Sequence, residues 1–520
     1  MKGSLGAAGA AALFSGLFSR RASADAYGAL VADPDGILDL PEGFSYVVLQ
    51  TAGDAMDDGY VAPGRPDGMA CFAGDDGNWV LMRNHEVSLN DASNGAYGSG
   101  EAPPEAYDPA GYGGVSRVVI DPATGAVVSS NLVVTGTVRN CAGGPSPWGW
   151  LTCEEDVSAS HGYVFACPTS AASVVAAEPI IGFGRFNHEA AAVDPRTLVT
   201  YLTEDRFDGC FYRHVPGDVS DPFTGQLQAL RISGTDGEFT NLYGTVGETW
   251  DVEWVDVAEP NPDDDSIRME ARAAGASVFT RGEGLWYFDG EVYFSCTNGG
   301  PSGLGQIFRL VDGPDGGTLE LIAASDGLDT LDFPDNITVA PWGELFIAED
   351  GSADQYVRFI DADGAICDFA RNAVSDSEFA GVCFSPDGSA MFINIQEQGL
   401  TLMVTGPFPT DDGGDESTGG DESTGDGGDE TGPDDDGGTE PTTDSASGTG
   451  TTEGGSAGTS DGSADTDAAS DSDTEGGAGA DGGGGCSVSA DTSVAPAVAT
   501  VAAVVAGLVA KNGADGSDDV

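Results

Sequence analysis

Basic and imidazole side chains are what this chain of 520 residues lacks. Four histidines and 19 lysines plus arginines stand against 86 aspartates and glutamates, a formal net charge of −67. So few cations cannot neutralise a phosphate backbone, which excludes nucleic acid as a partner. Four histidines also argue against a histidine-rich zinc centre or a facial-triad iron site. The nine cysteines contain no Cys-x-x-Cys pair and are too sparse for a disulfide framework. Cys71, Cys153, Cys167, Cys210, Cys296, Cys367 and Cys383 sit in apolar, strand-like settings and read as small buried hydrophobes. Cys141 and Cys486 stand apart in Gly-rich surroundings. No amphipathic helical period of any length occurs, which removes the all-α classes.

The acids fall into two populations. From Asp411 onward there are 26 of them and a single base, Lys511, so the N-terminal part still carries about −42. Such charge favours bound cations or a saline environment, and most of these carboxylates read as solubilising surface. Residues 410–485, including Gly419-Gly420-Asp421-Glu422-Ser423-Thr424-Gly425, offer almost no large apolar side chains and read as a disordered, self-repelling linker. Residues 486–511 hold Cys486 and the small-residue run from Val494 to Ala510, at the short limit of a membrane span, and 512–520 form an acidic tail. This layout resembles the sorting tails of some myxobacterial surface proteins, which implies anchoring at a membrane or cell surface. Those tails end in a basic cluster, where this chain has only Lys511. At the other end, the Ala/Gly run from Lys2 to Phe14 and Ala22-Ser23-Ala24-Asp25 read as an export signal over 1–24, cut after Ala24. Met1-Lys2-Gly3-Ser4 resembles the end of a twin-arginine signal, so the arginine pair is expected upstream of Met1.

Between these ends, over 25–409, short apolar runs alternate with tight turns. Trp79-Val80-Leu81-Met82, Val199-Thr200-Tyr201-Leu202 and Glu344-Leu345-Phe346-Ile347 are strand-length and rich in β-branched or aromatic residues. Turns such as Asp121-Pro122-Ala123-Thr124-Gly125 and Ser385-Pro386-Asp387-Gly388 recur at blade-sized intervals. The pattern predicts an all-β, six-bladed β-propeller; a two-sheet sandwich would be large at roughly 370 residues.

Chemistry concentrates where acids follow strands. Arg139-Asn140-Cys141-Ala142-Gly143-Gly144-Pro145 leads through Trp148-Gly149-Trp150 to Cys153-Glu154-Glu155, two thiols and a carboxylate pair around a Gly/Pro-rich turn. Related segments are Asn84-His85-Glu86, Asn187-His188-Glu189 with Thr203-Glu204-Asp205, Arg281-Gly282-Glu283-Gly284, and Asp335-Asn336 with Glu349-Asp350. Strand ends near a propeller axis face one another, so these acids can converge on metal. Carboxylate and Asn oxygens suit hard cations such as calcium, and a thiolate among them suits a transition metal such as iron. His85 and His188 either orient the adjacent carboxylate or are satisfied structural histidines.

In this order, the segments Arg-Asn-Cys-Ala-Gly-Gly-Pro, Trp-Leu-Thr-Cys-Glu-Glu, Gly-Arg-Phe-Asn-His-Glu-Ala, Tyr-Leu-Thr-Glu-Asp, Phe-Thr-Arg-Gly-Glu-Gly, Asp-Asn and Ala-Glu-Asp-Gly resemble the PhoX-type alkaline phosphatase family from about Gly36 to Leu402. The resemblance implies a six-bladed propeller, a monomeric catalytic domain and a cluster of two Fe3+ and three Ca2+ ions that hydrolyses phosphomonoesters outside the cytoplasm. It implies that Cys141 binds iron and that Glu86, Glu154, Glu155, Glu204 and Glu283 complete the carboxylate shell. Asp205, Asp335, Asn336, Glu349 and Asp350 become calcium-side candidates, and Arg281, with Glu283, forms the catalytic pair, the guanidinium contacting phosphate. Gly149 alone stands where the family pattern has two residues, a difference that bears on the register of Glu154 and Glu155. The same acids admit a non-catalytic, calcium-stabilised binding propeller displayed on the cell surface, or a single-calcium lactonase-like hydrolase. Both give Cys141 no role.

Overall fold

In the computed structural model, residues 27–409 are described, except Ser99 and Asp315. The expected export signal over 1–24, the linker, the apolar segment and the acidic tail lie outside the described residues. Within them the regular structure is almost entirely β-strand, with one short α-helix at Ile267–Ala273. No helix among the described residues is long and apolar enough to cross a membrane.

Hydrogen bonding organises the strands into five sheets rather than six separate ones, in a propeller-like arrangement. Two are four-stranded: one runs Pro66–Ala73, Trp79–His85, Gly113–Asp121, Ala126–Thr137, and the other Phe379–Phe384, Ala390–Ile395, Leu400–Thr405. The second of these takes its fourth strand, Ser45–Thr51, from the beginning of the chain, so the two ends of the domain share a sheet and protect its edge. Asn140–Ser146, Gly149–Glu154 and Val164–Cys167 make a three-stranded sheet. A six-stranded sheet begins at Pro334–Val339 and adds Leu38–Pro41 and Leu30–Val31 at its far side. The count differs from six because Thr249–Asp256 pairs with Gly316–Ala324, fusing two meanders into one nine-stranded sheet.

Strands such as Trp79–His85 and Ala390–Ile395 are buried along their whole length. Both faces of their sheets are covered, which is why they read as continuous apolar runs rather than strict alternations. Aromatic rings fill the gaps: Phe346 meets Phe384 edge-on at 5.0 Å, and Phe211 stacks on Phe294 at 4.3 Å. Such pairs each add about 0.5–1.5 kcal/mol beyond area burial.

Six strands form the centre: Pro66–Ala73, Asn140–Ser146, His188–Val193, Gly282–Phe288, Pro334–Val339 and Phe379–Phe384. Each packs against the next, and the last against the first. Close approach demands small residues. A Cβ on Gly284 would lie 2.4 Å from the Asp335 carbonyl oxygen and 2.6 Å from the Ile337 nitrogen, whereas one on Gly327 would meet nothing within 4 Å. Gly284→Ala should therefore cost about 1–3 kcal/mol in denaturant unfolding, while Gly327→Ala stays within about 0.5 kcal/mol. Equal midpoints for both variants would contradict the packing.

Candidate metal centre

All six central strands carry the same irregularity near their beginning. The register with the neighbouring strand shifts between Pro66 and Met69, Asn140 and Gly143, His188 and Ala191, Gly282 and Leu285, Pro334 and Ile337, and Ala380 and Cys383. Each shift is a β-bulge, which re-aims a side chain that regular pleating would send elsewhere. The residues opening these bulges are Asp67, Cys141, Glu189, Glu283, Asp335 and Gly381, five of six being metal-ligand types. Four are followed by Gly68, Ala142, Ala190 or Gly284, which lets neighbouring backbones close in; a Cβ on Gly68 would sit 2.7 Å from the Ala142 Cα. At the sixth position no side chain fits: Gly381 has φ +65°, and a Cβ there would lie 2.2 Å from the Asp67 carbonyl oxygen.

A second set of acids arrives just beyond the strands that follow, Glu86, Glu155, Asp205 and Asp350, with Glu378 just before the last central strand. Together they form three groups in which ligand atoms lie within 4.8 Å of one another: Cys141, Glu155 and Glu189; Asp67, Glu86 and Glu378; and Glu189, Glu283 and Asp335. Glu189 belongs to two of them.

Burial and mutual repulsion raise the proton affinity of this cluster. Burial first, then Glu283 and Asp335, pushes the Glu189 carboxyl well above its ordinary range; Asp67, Glu283, Asp335 and Glu378 are driven the same way by burial and acidic neighbours. Cys141, with Sγ 3.0 Å from Glu189 Oε2, has its thiol pushed up by burial and then by Glu189 and Glu155. Uncompensated, so many buried like charges cannot all ionise. Bound cations would resolve the conflict, and the donor set of oxygens with one sulfur fits hard ions beside a more thiophilic one.

A carboxyl with a raised folded-state pKa keeps its proton in the fold where the unfolded chain has lost it, so stability falls as pH rises through that window. Glu204 and Glu349, each pushed up to about 7 chiefly by burial, extend the same trend. Chelator-treated protein should melt at progressively lower temperature from about pH 4.3 to 7, while metal affinity rises as ions displace protons. A flat or rising melting profile in chelator would overturn this.

Two guanidiniums border the acids. Arg281 donates from Nε to Asp205 Oδ1 at 2.8 Å, and from Nη2 to Asp205 Oδ2 at 3.0 Å and Glu283 Oε1 at 2.7 Å. Arg139 donates to Glu86 Oε1 at 2.9 Å and to Glu155. Both stand two residues before a bulge residue, Glu283 or Cys141, in left-handed backbone, with φ 47° for Arg281 and 48° for Arg139; Arg65 repeats the position before Asp67 at 46°. Strained backbone of this kind persists where the surroundings over-determine it, typically at functional sites.

Residues 25–132 and 122–399 match the family described as Alkaline phosphatase PhoX. The chain belongs to the PhoX alkaline phosphatase family. It is a phosphatase of that type. Among solved structures, Pseudomonas fluorescens PhoX in complex with vanadate, a transition state analogue, is similar at 18% identity and TM-score 0.57, covering 72% of this chain and 97% of that one. That likeness shows a shared fold. A gluconolactonase from Xanthomonas campestris (12% identity, 73% and 98% covered, TM-score 0.38) and a virginiamycin B lyase from Staphylococcus aureus (11%, 70% and 99%, 0.34) also match. No curated protein matches the chain.

In this PhoX chain the structure brings Cys141, Glu86, Glu155, Glu283 and Asp335 into the grouped ligands and places Asp205 and Asp350 beside them. Asn336 supports its neighbour, donating to Asp335 Oδ2 at 2.9 Å and accepting from the Gly381 N–H. Glu154, Glu204 and Glu349 stand outside the groups. Glu154 accepts from the backbone of Val138 (3.0 Å) and Gly162 (2.9 Å) and pairs with His161 Nδ1 at 2.7 Å. Glu204 accepts from Tyr212 Oη at 2.7 Å and Cys210 N at 3.1 Å, and Glu349 from Arg358 Nε at 2.6 Å and Asp332 N at 2.8 Å. In each Glu-Glu or Glu-Asp pair the first acid ends the strand and ties loops together, and the second turns to the cluster. His85 and His188 take the structural role: His85 bonds Gly64 O and Ser116 Oγ, and His188 bonds Gly184 O. The short Trp148-Gly149-Trp150 link is absorbed in a two-residue hairpin turn. Ser146 pairs with Gly149 and Asn140 with Glu154, and Gly149 has φ +114° with the Cys167 carbonyl where a Cβ would stand.

Asp67, Glu189, Glu378 and Arg139 were not among the predicted site residues. Arg65-Pro66-Asp67-Gly68 parallels Phe333-Pro334-Asp335-Asn336, and Glu189 closes an Asn-His-Glu stretch like Asn84-His85-Glu86, so both had a signal. Glu378 precedes its strand instead of following one and had none.

Proposed function

We propose that this chain hydrolyses phosphomonoesters outside the cytoplasm with a cluster of iron and calcium ions. The observation carrying this reading is the convergence of one thiol and three acid groups beside the Arg281 guanidinium. Cys141, Glu155 and Glu189 fit the iron side, Asp67, Glu86 and Glu378 the calcium side, and Glu283 and Asp335 the ground between. When bound, such ions neutralise phosphate oxygens and make an oxygen nucleophile available at accessible pH. Arg281 binds the phosphate, exchanging its carboxylate partners for substrate oxygens, the planar fork matching either. Asp205 holds the fork at the rim until substrate arrives. Burial of the acids keeps bulk water from screening these interactions.

Read by meanders, the fused nine-stranded sheet counts as two blades, which gives six in all around the six central strands. A monomeric catalytic domain, export, and anchoring through the C-terminal segment complete the reading, supported by the family and by the sequence of the two ends.

The test is turnover of a chromogenic phosphomonoester by the purified full chain, with elemental analysis before and after chelation. Chelator-sensitive hydrolysis with iron and calcium both bound is expected. Calcium alone with no hydrolysis would favour a non-catalytic binding propeller, and hydrolysis surviving complete metal removal would overturn the cluster.

A further inference from the structure

Away from the axial groups, the structure carries a second arrangement of buried acids that the proposed reaction does not use. Asp332 is 1% exposed and both its carboxylate oxygens lack a hydrogen-bond partner among the described residues; Glu349 is 0% exposed and its Oε2 is likewise unpartnered there. The two are tied together, since the Asp332 N–H donates to Glu349 Oε1 at 2.8 Å. The Asp332 carboxylate presses against the chain just after Glu349: a Cβ on Gly351 would stand 2.0 Å from Asp332 Oδ2.

Charge sharpens the point. Arg358 is the guanidinium here, donating from Nε to Glu349 Oε1 at 2.6 Å and pairing with Asp368 from Nη1. Its other contacts are neutral, the Asp329 and Leu328 carbonyls at 3.2 Å and the Tyr356 ring at 4.5 Å. One positive charge thus meets two buried negative ones, Asp332 and Glu349, and shares itself with Asp368, which is exposed to solvent. One buried carboxylate charge remains uncompensated, in a place where an unmet carboxylate is costly. Arg358 also fixes Glu349 so that Oε2 is the oxygen left over, as an outer partner orients a metal ligand.

We propose that Asp332 and Glu349 hold a hard divalent cation, of the calcium class, at a structural site separate from the axial cluster. Three buried carboxylate oxygens, Asp332 Oδ1 and Oδ2 and Glu349 Oε2, are its protein donors, a chemistry selective for hard ions over thiophilic ones. The ion pins the segment before Pro334–Val339 to the end of Leu345–Glu349, the two strand ends that deliver Asp335 and Asp350 to the axis.

Crystals of the parent chain grown in calcium should show an anomalous peak between Asp332 and Glu349. Absence of a peak there, with peaks present at the axis, would overturn the proposal. In solution, Asp332→Asn should lose one equivalent of calcium per chain while keeping its iron, and should melt below the parent in excess calcium. Gly351→Ala, whose methyl displaces the same carboxylate, should lose the same equivalent. If the two acids instead share a proton, Asp332→Asn retains the full complement and melts at or above the parent at every calcium concentration, which also overturns the site.

Discussion

Alanine in place of Glu189 should reduce phosphomonoester turnover on the order of a thousandfold, because removal of a ligand shared by two groups disrupts more than one ion position, each contributing several kcal/mol of charge stabilisation. Glu189 is buried, reaches Cys141 Sγ at 3.0 Å, and also lies within the Glu283 and Asp335 group. Iron content should fall with turnover. The metal-free variant, by contrast, should melt no lower than metal-free parent, since one of several mutually repelling buried acids has gone. Glu189→Gln separates charge from shape: it keeps an acceptor for the Cys141 thiol but not the anion, and should resemble alanine in activity. Parental turnover in Glu189→Ala with an unchanged metal complement would remove the axial cluster from the mechanism.

How far the sequence reaches is set by register. Turn chemistry and strand-length runs suffice for an all-β propeller, because Gly, Pro and Asp punctuation acts locally. The pairing of Thr249–Asp256 with Gly316–Ala324 is non-local and fuses two expected units into one sheet. At the site, the stretch from Arg139 to Glu155 announces itself through its thiol and glycines. Which acid of Glu154-Glu155, Glu204-Asp205 or Glu349-Asp350 faces the axis does not, because side chains alternate along a strand and a shift of one residue exchanges the faces. Asp67 and Glu189 owe their aim to bulges, and a bulge leaves no periodic trace in a single sequence.

Arg281→Ala should cost about a hundredfold to a thousandfold in kcat/KM, the loss expected when one preorganised donor to developing phosphate charge is removed. The proposed role asks the side chain to exchange carboxylate partners for substrate oxygens. Its Nε and Nη2 already grip the two oxygens of Asp205 at 2.8 and 3.0 Å, the bidentate geometry a phosphate also offers. Burial works against its charge, but Glu283 and Asp205 more than offset this and hold the guanidinium protonated. The pH–rate profile should accordingly show no step that vanishes in Arg281→Ala. Arg281→Lys keeps the charge and loses the fork, so it should recover only part of the activity. Asp205→Asn distinguishes positioning from binding: it removes the carboxylate that holds Arg281 at rest, and should change kcat and KM together without eliminating turnover. Arg281→Ala with parental kcat/KM on the chromogenic monoester would mean that phosphate is held elsewhere, with Arg139 at the Glu86 and Glu155 side the next guanidinium to test.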